Sequence, residues 1–277
     1  MLPGDSAEPV VSHVGRLTAL VTAFLQKTLT MAELEIRKLW HDPTELFTRA
    51  AQPILWLLVF GQVFSRTRAI PTGELRYLDF MAPGILAQSV LFISIFYGIA
   101  IIWERDLGLV HKFLVTPTPR TALVLGKALS AGIRGLSQAV IIYLLAVLLG
   151  VKVDLRPLAL LGVAVTIFLA GGVFSTFSLI VACLVKTRDR FIGIGQLLTM
   201  PLFFASNDIY PLSLMPEWLR AIAKINPLTY TVDALRALML YGVNPGAHSL
   251  ALELVVLTGV MAVLVTIGGK LYPRVVV

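Results

Sequence analysis

The 277-residue chain is 57% hydrophobic and 14% charged, with a mean hydropathy of +0.85, a composition that fits a bilayer and not a soluble domain. Its formal charge of +7 argues for lipid headgroups and topology and against nucleic acid, because the lysines and arginines gather at the ends of apolar blocks and form no separate stripe. The single cysteine, Cys183, lies inside such a block, so an internal disulfide and a thiol–metal cluster are both excluded.

From the N-terminus, Asp5 and Glu8 precede the short apolar run LTALVTAFL, and no small-residue cleavage site follows; this is not the pattern of a cleavable signal peptide. Leu25, Leu29, Ala32, Ile36 and Leu39 then recur at helical spacing, with Gln26, Thr30, Glu33 and Arg37 on another face. The pattern fits a helix lying in the membrane interface, or a soluble helix packed on the same domain; periodicity does not separate the two. His41-Asp42-Pro43 breaks it where the chain must turn into the bilayer.

Six apolar stretches follow, at about 46–64, 78–103, 123–149, 157–185, 191–206 and 250–271. The expected fold is therefore all-α and integral to the membrane, one domain over 1–277, with an N-terminal segment 1–45 and six transmembrane helices within 46–271. An even number of spans puts both termini on one side. If that side is the cytoplasm, fifteen of the 23 basic residues face inward and eight outward, as the positive-inside rule favours.

Between the second and third stretches lies WERDLGLVHKFLVTPTPRTALVLGK. Leu107, Val110 and Leu114 sit at i, i+3 and i+7 with Phe113 beside them, while Glu104, Gly108, His111 and Lys112 fall on the other side. About three helical turns cannot stand alone in water, and Pro117 and Pro119 end them. Such a helix needs a docking surface, either its own spans or another protein, and two unlike faces can serve both.

Between the fifth and sixth stretches, residues 211–242 are too polar to cross and too regular for a plain loop. Asn226 can cap a helix with Pro227 at its first position, Leu228, Val232, Leu235 and Met239 form an apolar stripe, and Gly242 can close it. Two short helices split at Asn226-Pro227 are expected on or in the outer leaflet. Asp233 and Arg236, three apart, read as an ordinary pair on an exposed face.

Chemistry is scarce. The acidic residues fall in loops or near span ends, Asp79 and Glu253 being nearest to membrane depth, and His13, His41, His111 and His248 lie outside the spans. No catalytic constellation, metal-ligand set or midplane carboxylate for ion coupling is visible. The polar groups at depth are amides and hydroxyls such as Gln52, Gln88, Gln138 and Ser178, and Gly171-Gly172 allows close helix approach. A phosphate-binding G-x-x-x-x-G-K-[ST] loop is also missing, since Gly126-Lys127-Ala128 lacks the upstream glycine and the hydroxyl. The Lys186, Arg188, Arg190 group reads as a topology signal. A conduit driven by a partner is the expectation.

Three segments carry a resemblance. WERDLGLVHKFLVTPTPRTALVLGK is similar to the cytoplasmic segment between the second and third spans of type-2 ABC exporter permeases, ELEIRKLWHDPTELF to their N-terminal interface helix, and PEWLRAIAKINPLTYTVDALRALM to their extracellular signature. Within that family the segments resemble the daunorubicin-resistance-like branch. The resemblance implies a cell (inner) membrane permease with cytoplasmic termini, no enzyme activity and no cofactor in this chain. ATP and magnesium would bind two separate ABC ATPase subunits, and two permease copies, or this chain with a sister, would form the pathway. It further implies that Glu104, Arg105, Asp106, Leu107, Gly108, Val110, His111, Lys112, Phe113 and Leu114 couple to the ATPase. Asn226, Pro227, Tyr230, Asp233 and Arg236 would belong to an outer re-entrant gate. A drug or lipid-like compound is the implied cargo, with polysaccharide or glycolipid export as an alternative and a non-transporting membrane scaffold as a reading from another class.

Overall fold

The computed structural model describes Thr22, Gln26, Thr30, Glu33 and Arg37, and residues 43–67, 70–73, 75–108, 110, 120–185, 187–241 and 249–275. Ten α-helices follow one another in these residues. They are α1 (Pro43–Leu55), continued through a π-helical segment (Trp56–Gly61) into α2 (Gln62–Thr67), then α3 (Tyr77–Tyr97), α4 (Ile99–Asp106), α5 (Arg120–Leu148), α6 (Pro157–Leu184), α7 (Arg188–Phe204), α8 (Glu217–Ile225), α9 (Pro227–Met239) and α10 (Leu250–Leu271).

Four helical stretches are long and apolar enough to cross a membrane: Tyr77–Asp106, Arg120–Leu148, Pro157–Leu184 and Leu250–Leu271. They coincide with four of the six expected spans. The first expected span is the α1–π–α2 run, whose ladder contains Pro53 and widens at Trp56. The fifth is α7, 17 residues long and opening on Arg188-Asp189-Arg190.

α3 is the axis of the bundle, buried along nearly its whole length and packed on α5, α6, α7 and α9. α6 packs in turn on α5 and α10. The close approach expected at Gly171-Gly172 is present: a Cβ on Gly171 would stand 3.1 Å from the Gly132 Cα of α5, so backbone meets backbone. Nearby, Ser178 Oγ donates to the Ile95 carbonyl, joining α6 to α3 just before the Gly98 break. The outward faces stay apolar, as with Val140 and Leu144 on α5 and Val255 and Val263 on α10, which suits hydrocarbon and not water.

The bundle has two polar ends. At one, Asp154 N–H donates to the Met239 carbonyl (2.7 Å), Tyr241 N–H to the Lys152 carbonyl (3.2 Å) and Tyr77 Oη to the Ile209 carbonyl (3.1 Å). This hairpin end gathers the 70–77, 149–156 and 205–226 segments. At the opposite end, the close of α4 and α10 meets the start of α5 and α7.

The helix pair expected within 211–242 is present and divides at Asn226-Pro227, but its halves differ. α8 is exposed, with Trp218 at 66% and Ile225 at 80%, whereas the α9 stripe Leu228, Val232, Leu235 and Met239 is wholly buried among α3, α6 and α10. The Asn226 cap explains the placement. Its Oδ1 accepts from Leu228 N–H (3.0 Å), while its amide donates to the Leu202 and Ala205 carbonyls (both 2.7 Å), pinning the start of α9 to the end of α7. Gly242 lies outside the described residues, and the helix ends at Met239 with Leu240 bridging to Val153.

On the N-terminal segment, Thr22, Gln26, Thr30, Glu33 and Arg37 are helical and exposed, with Arg37 Nη2 2.6 Å from Glu33 Oε1. The apolar stripe beginning at Leu25 lies outside the described residues.

Candidate functional site

Side chains of functional chemistry collect at both ends of the bundle. At the end away from the hairpin, the last turn of α4 supplies Glu104, Arg105 and Asp106. Glu104 Oε2 accepts from Lys127 Nζ of α5 at 2.6 Å, with only 23% and 10% of the two side chains exposed. Asp106 Oδ2 accepts from Arg188 Nη2 of α7 at 2.9 Å, and its other oxygen accepts from Arg105 Nη2 at 3.1 Å. The Asp106 carboxylate is thus shared between a guanidinium of its own turn and one from α7. The Arg188 guanidinium also lies 4.0 Å over the Trp103 ring. One turn of helix is thereby fastened to α5 and α7.

Beyond this root the expected single helix does not run on. Leu107 and Gly108 form a turn in which Gly108 adopts φ +69°, a left-handed conformation that a glycine enters without a steric penalty. The turn separates the two apolar anchors. Leu107 is 69% exposed, while Val110 is fully buried against Ile101, Leu123, Val124 and Tyr272. His111, Lys112, Phe113 and Leu114 lie outside the described residues. Arg188 has a binding role beyond topology; Lys186 lies outside the described residues.

At the hairpin end a second cluster corrects the sequence reading. Asp233 and Arg236 do pair, Nη1 to Oδ1 at 3.1 Å, but at 4% and 9% exposure they are inside the bundle and not on an exposed face. The reason is α9 itself, whose stripe and polar side are covered alike once it is wedged between three helices. Arg236 Nη2 donates to the Asn207 carbonyl (3.0 Å), its guanidinium lies 4.0 Å over Phe80, and the Asn207 amide donates to Asp233 Oδ1. Asp208 and Glu253 are each fully buried beside them. Burial pushes the Asp208 carboxyl up to about 8, with Arg236 pulling the other way. Tyr230 turns outward instead, its Oη donating to the Lys224 carbonyl (2.6 Å), and Pro227 serves as the first residue of α9.

Sequence reasoning missed Lys127, Asn207, Asp208 and the burial of Glu253. Lys127 carried a visible signal, a lone cation among Val124, Ala128 and Ala131, but nothing local distinguishes Asn207-Asp208 from an ordinary loop. Among the described residues no three histidine, cysteine or acidic side chains stand close enough to hold a metal ion.

Comparison with known proteins decides the lineage. The model of the ABC-2 type transporter family matches residues 26–240. The chain belongs to that family. A putative transport permease of Cyanophora paradoxa is 30% identical over 217 residues, covering 78% of this chain and 74% of the relative. A daunorubicin resistance ABC transporter permease protein of Streptomyces coeruleorubidus is 27% identical over 262 residues, 95% and 91% of the two chains. An inner membrane transport permease of Escherichia coli K12 is 22% identical over 215 residues, 73% and 81%. This ABC-2 permease is thus a membrane subunit of a family whose members work with an ABC ATPase and are not ATPases themselves.

Proposed function

We propose that this permease forms the membrane pathway of an ATP-driven exporter that moves a hydrophobic or amphipathic compound, drug or lipid-like, out of the cytoplasm or inner leaflet. Six spans, with the α1–π–α2 run first and α7 fifth, put both termini in the cytoplasm of a cell (inner) membrane protein. Two copies face each other, and two ATPase subunits, which bind the ATP and magnesium, dock beneath. The segment 104–114 transmits their motion, and 211–242 closes the exit as a re-entrant hairpin within a single domain over 1–277.

The observation that supports this most is the rooted turn at Glu104–Asp106: two ion pairs bind it to α5 and α7, and Leu107 stands exposed immediately beyond. A partner pulling on Leu107 would move three helices together. Reconstitution with a cognate ABC ATPase subunit tests the reading. ATP hydrolysis stimulated by the permease and net dye efflux from vesicles are expected, and the absence of both association and stimulation would refute it.

Polysaccharide or glycolipid export is a second reading, favoured by a file of rings along the first helical run. Trp56 and Phe60 stack at 4.5 Å and Phe60 and Phe64 at 6.2 Å, a surface suited to the apolar faces of sugar rings.

A further inference from the structure

The hairpin-end cluster holds three carboxylates, Asp208, Asp233 and Glu253, against the guanidinium of Arg236, and none of the four residues is more than 9% exposed. Arg236 and Asp233 compensate each other directly. Asp208 and Glu253 are left over, and all four of their carboxylate oxygens are buried with no hydrogen-bond partner. An ionised carboxylate in that position loses its hydration and gains nothing in return, so it takes up either a counter-ion or a proton. The acidic side chains do not converge in the way a metal site requires. One flank of Asp208 is also closed: its Oδ1 lies so near the Gly84 Cα that a Cβ there would stand 2.0 Å away. A proton is the ligand that fits.

The facing groups agree. From α3 come Tyr77, whose Oη donates to the carbonyl of Ile209 next to Asp208 (3.1 Å), and Asp79, already satisfied by Arg76 at 2.8 Å. From α9 come Asp233 and Arg236, and from α10 Glu253. With Asp208 and Glu253 both ionised the cluster would carry two uncompensated negative charges; each proton bound removes one.

We propose that this cluster is a proton-binding site, with Asp208 the group that holds the proton and Glu253 the second acceptor. The bound proton keeps the loop after α7 packed against α3 and lets α9 sit between α3 and α10. Its loss sets Asp208, Asp233 and Glu253 against one another and loosens the hairpin end. The inference goes beyond the exporter reading and does not depend on it.

Infrared spectroscopy of the purified full chain in nanodiscs tests it, without ATPase or cargo. At neutral pH exposed carboxylates are ionised, so a protonated-carboxyl carbonyl band reports buried acids. The band is expected in the wild type, fading as the pH is raised to 9, and reduced in Asp208→Asn but unchanged in Glu217→Gln on exposed α8. A wild-type spectrum without the band, or a band that Asp208→Asn leaves intact, would overturn the proposal. Should Asp208→Asn fold poorly, the wild-type melting temperature decides: a fall of several degrees between pH 6 and pH 9 supports the site, and a level profile refutes it.

Discussion

Lys127 Nζ lies 2.6 Å from Glu104 Oε2, so a side chain near the start of α5 holds the last turn of α4 at the point where the chain leaves the bundle. Lys127→Met would leave the Glu104 carboxylate three-quarters covered without a partner, at a cost of about 2 kcal/mol. The double variant Lys127→Met with Glu104→Gln should recover most of that loss. Melting temperatures of the three purified proteins check the cycle, and additive losses would show the pair to be uncoupled.

Leu107 and Val110 are three residues apart and occupy opposite environments, 69% and 0% exposed. Val110→Asp places a carboxylate among Ile101, Leu123 and Tyr272 and should destabilise the permease by roughly 3–5 kcal/mol or prevent accumulation. Leu107→Asp should change stability by less than about 0.5 kcal/mol, the usual range for a surface substitution. Its expected effect is lost co-purification with the ATPase at normal abundance. If Leu107→Asp keeps both binding and stimulation, Leu107 is not a docking contact.

These two positions show what the sequence made legible. Spacing put Leu107 and Val110 on one apolar stripe, and only the left-handed turn at Gly108, which spacing cannot register, sends them apart. The long spans were legible because apolar blocks of 22 to 30 residues have a single economical conformation in a bilayer. The Asn226-Pro227 start of α9 was legible because capping is local. The depth of α9 was not: a stripe of four apolar residues reads alike on a surface helix and on one buried on every side. Asp208 became part of a site only through its contact with Gly84, more than a hundred residues earlier.

Arg236 is the cation that makes the Asp233 carboxylate tolerable inside the bundle. Arg236→Met takes the guanidinium from Asp233, which keeps the bond from the Asn207 amide, and should cost about 3–5 kcal/mol, the range for breaking a buried pair. Arg236→Met combined with Asp233→Leu removes both charges and should be far milder. Yield and melting temperature in detergent give the comparison, and a double variant no better than the single would show that Arg236 acts through Phe80 and Asn207.

The pH dependence follows from Asp208. Its carboxyl is raised to about 8 in the folded protein, from the ordinary 3.8, so the folded state binds the proton more tightly than the unfolded chain. Stability from this group is complete below about pH 4 and lost as the pH climbs toward 8. Asp154, held low by Arg156, is ionised throughout pH 6–9 and adds no slope there. Melting temperature should therefore fall across pH 6–9, and less steeply in Asp208→Asn, where Glu253 remains as the second acceptor. Gly84→Ala, whose methyl would collide with the carboxylate, should flatten the profile as well, and a wild-type slope in Gly84→Ala would mean that the contact is not what holds Asp208 in place.

The last prediction concerns which side of the membrane each cluster occupies. In a Cys183→Ala background, where no other thiol remains, single cysteines at Ser213 and Thr72 should react with an impermeant thiol reagent added outside intact cells. Both belong to the hairpin end. A cysteine at Thr187, exposed beside Arg188 at the opposite end, should react only after the membrane is opened, and one at Thr116 should behave the same way. The pattern tests more than orientation, because Glu104, Asp106 and Leu107 can meet a cytoplasmic ATPase only if Thr187 is cytoplasmic. Labelling of Thr187 from outside, with Ser213 protected, would turn the bundle over. It would also put the Asp208 cluster on the cytoplasmic side and leave Leu107 with no ATPase to touch.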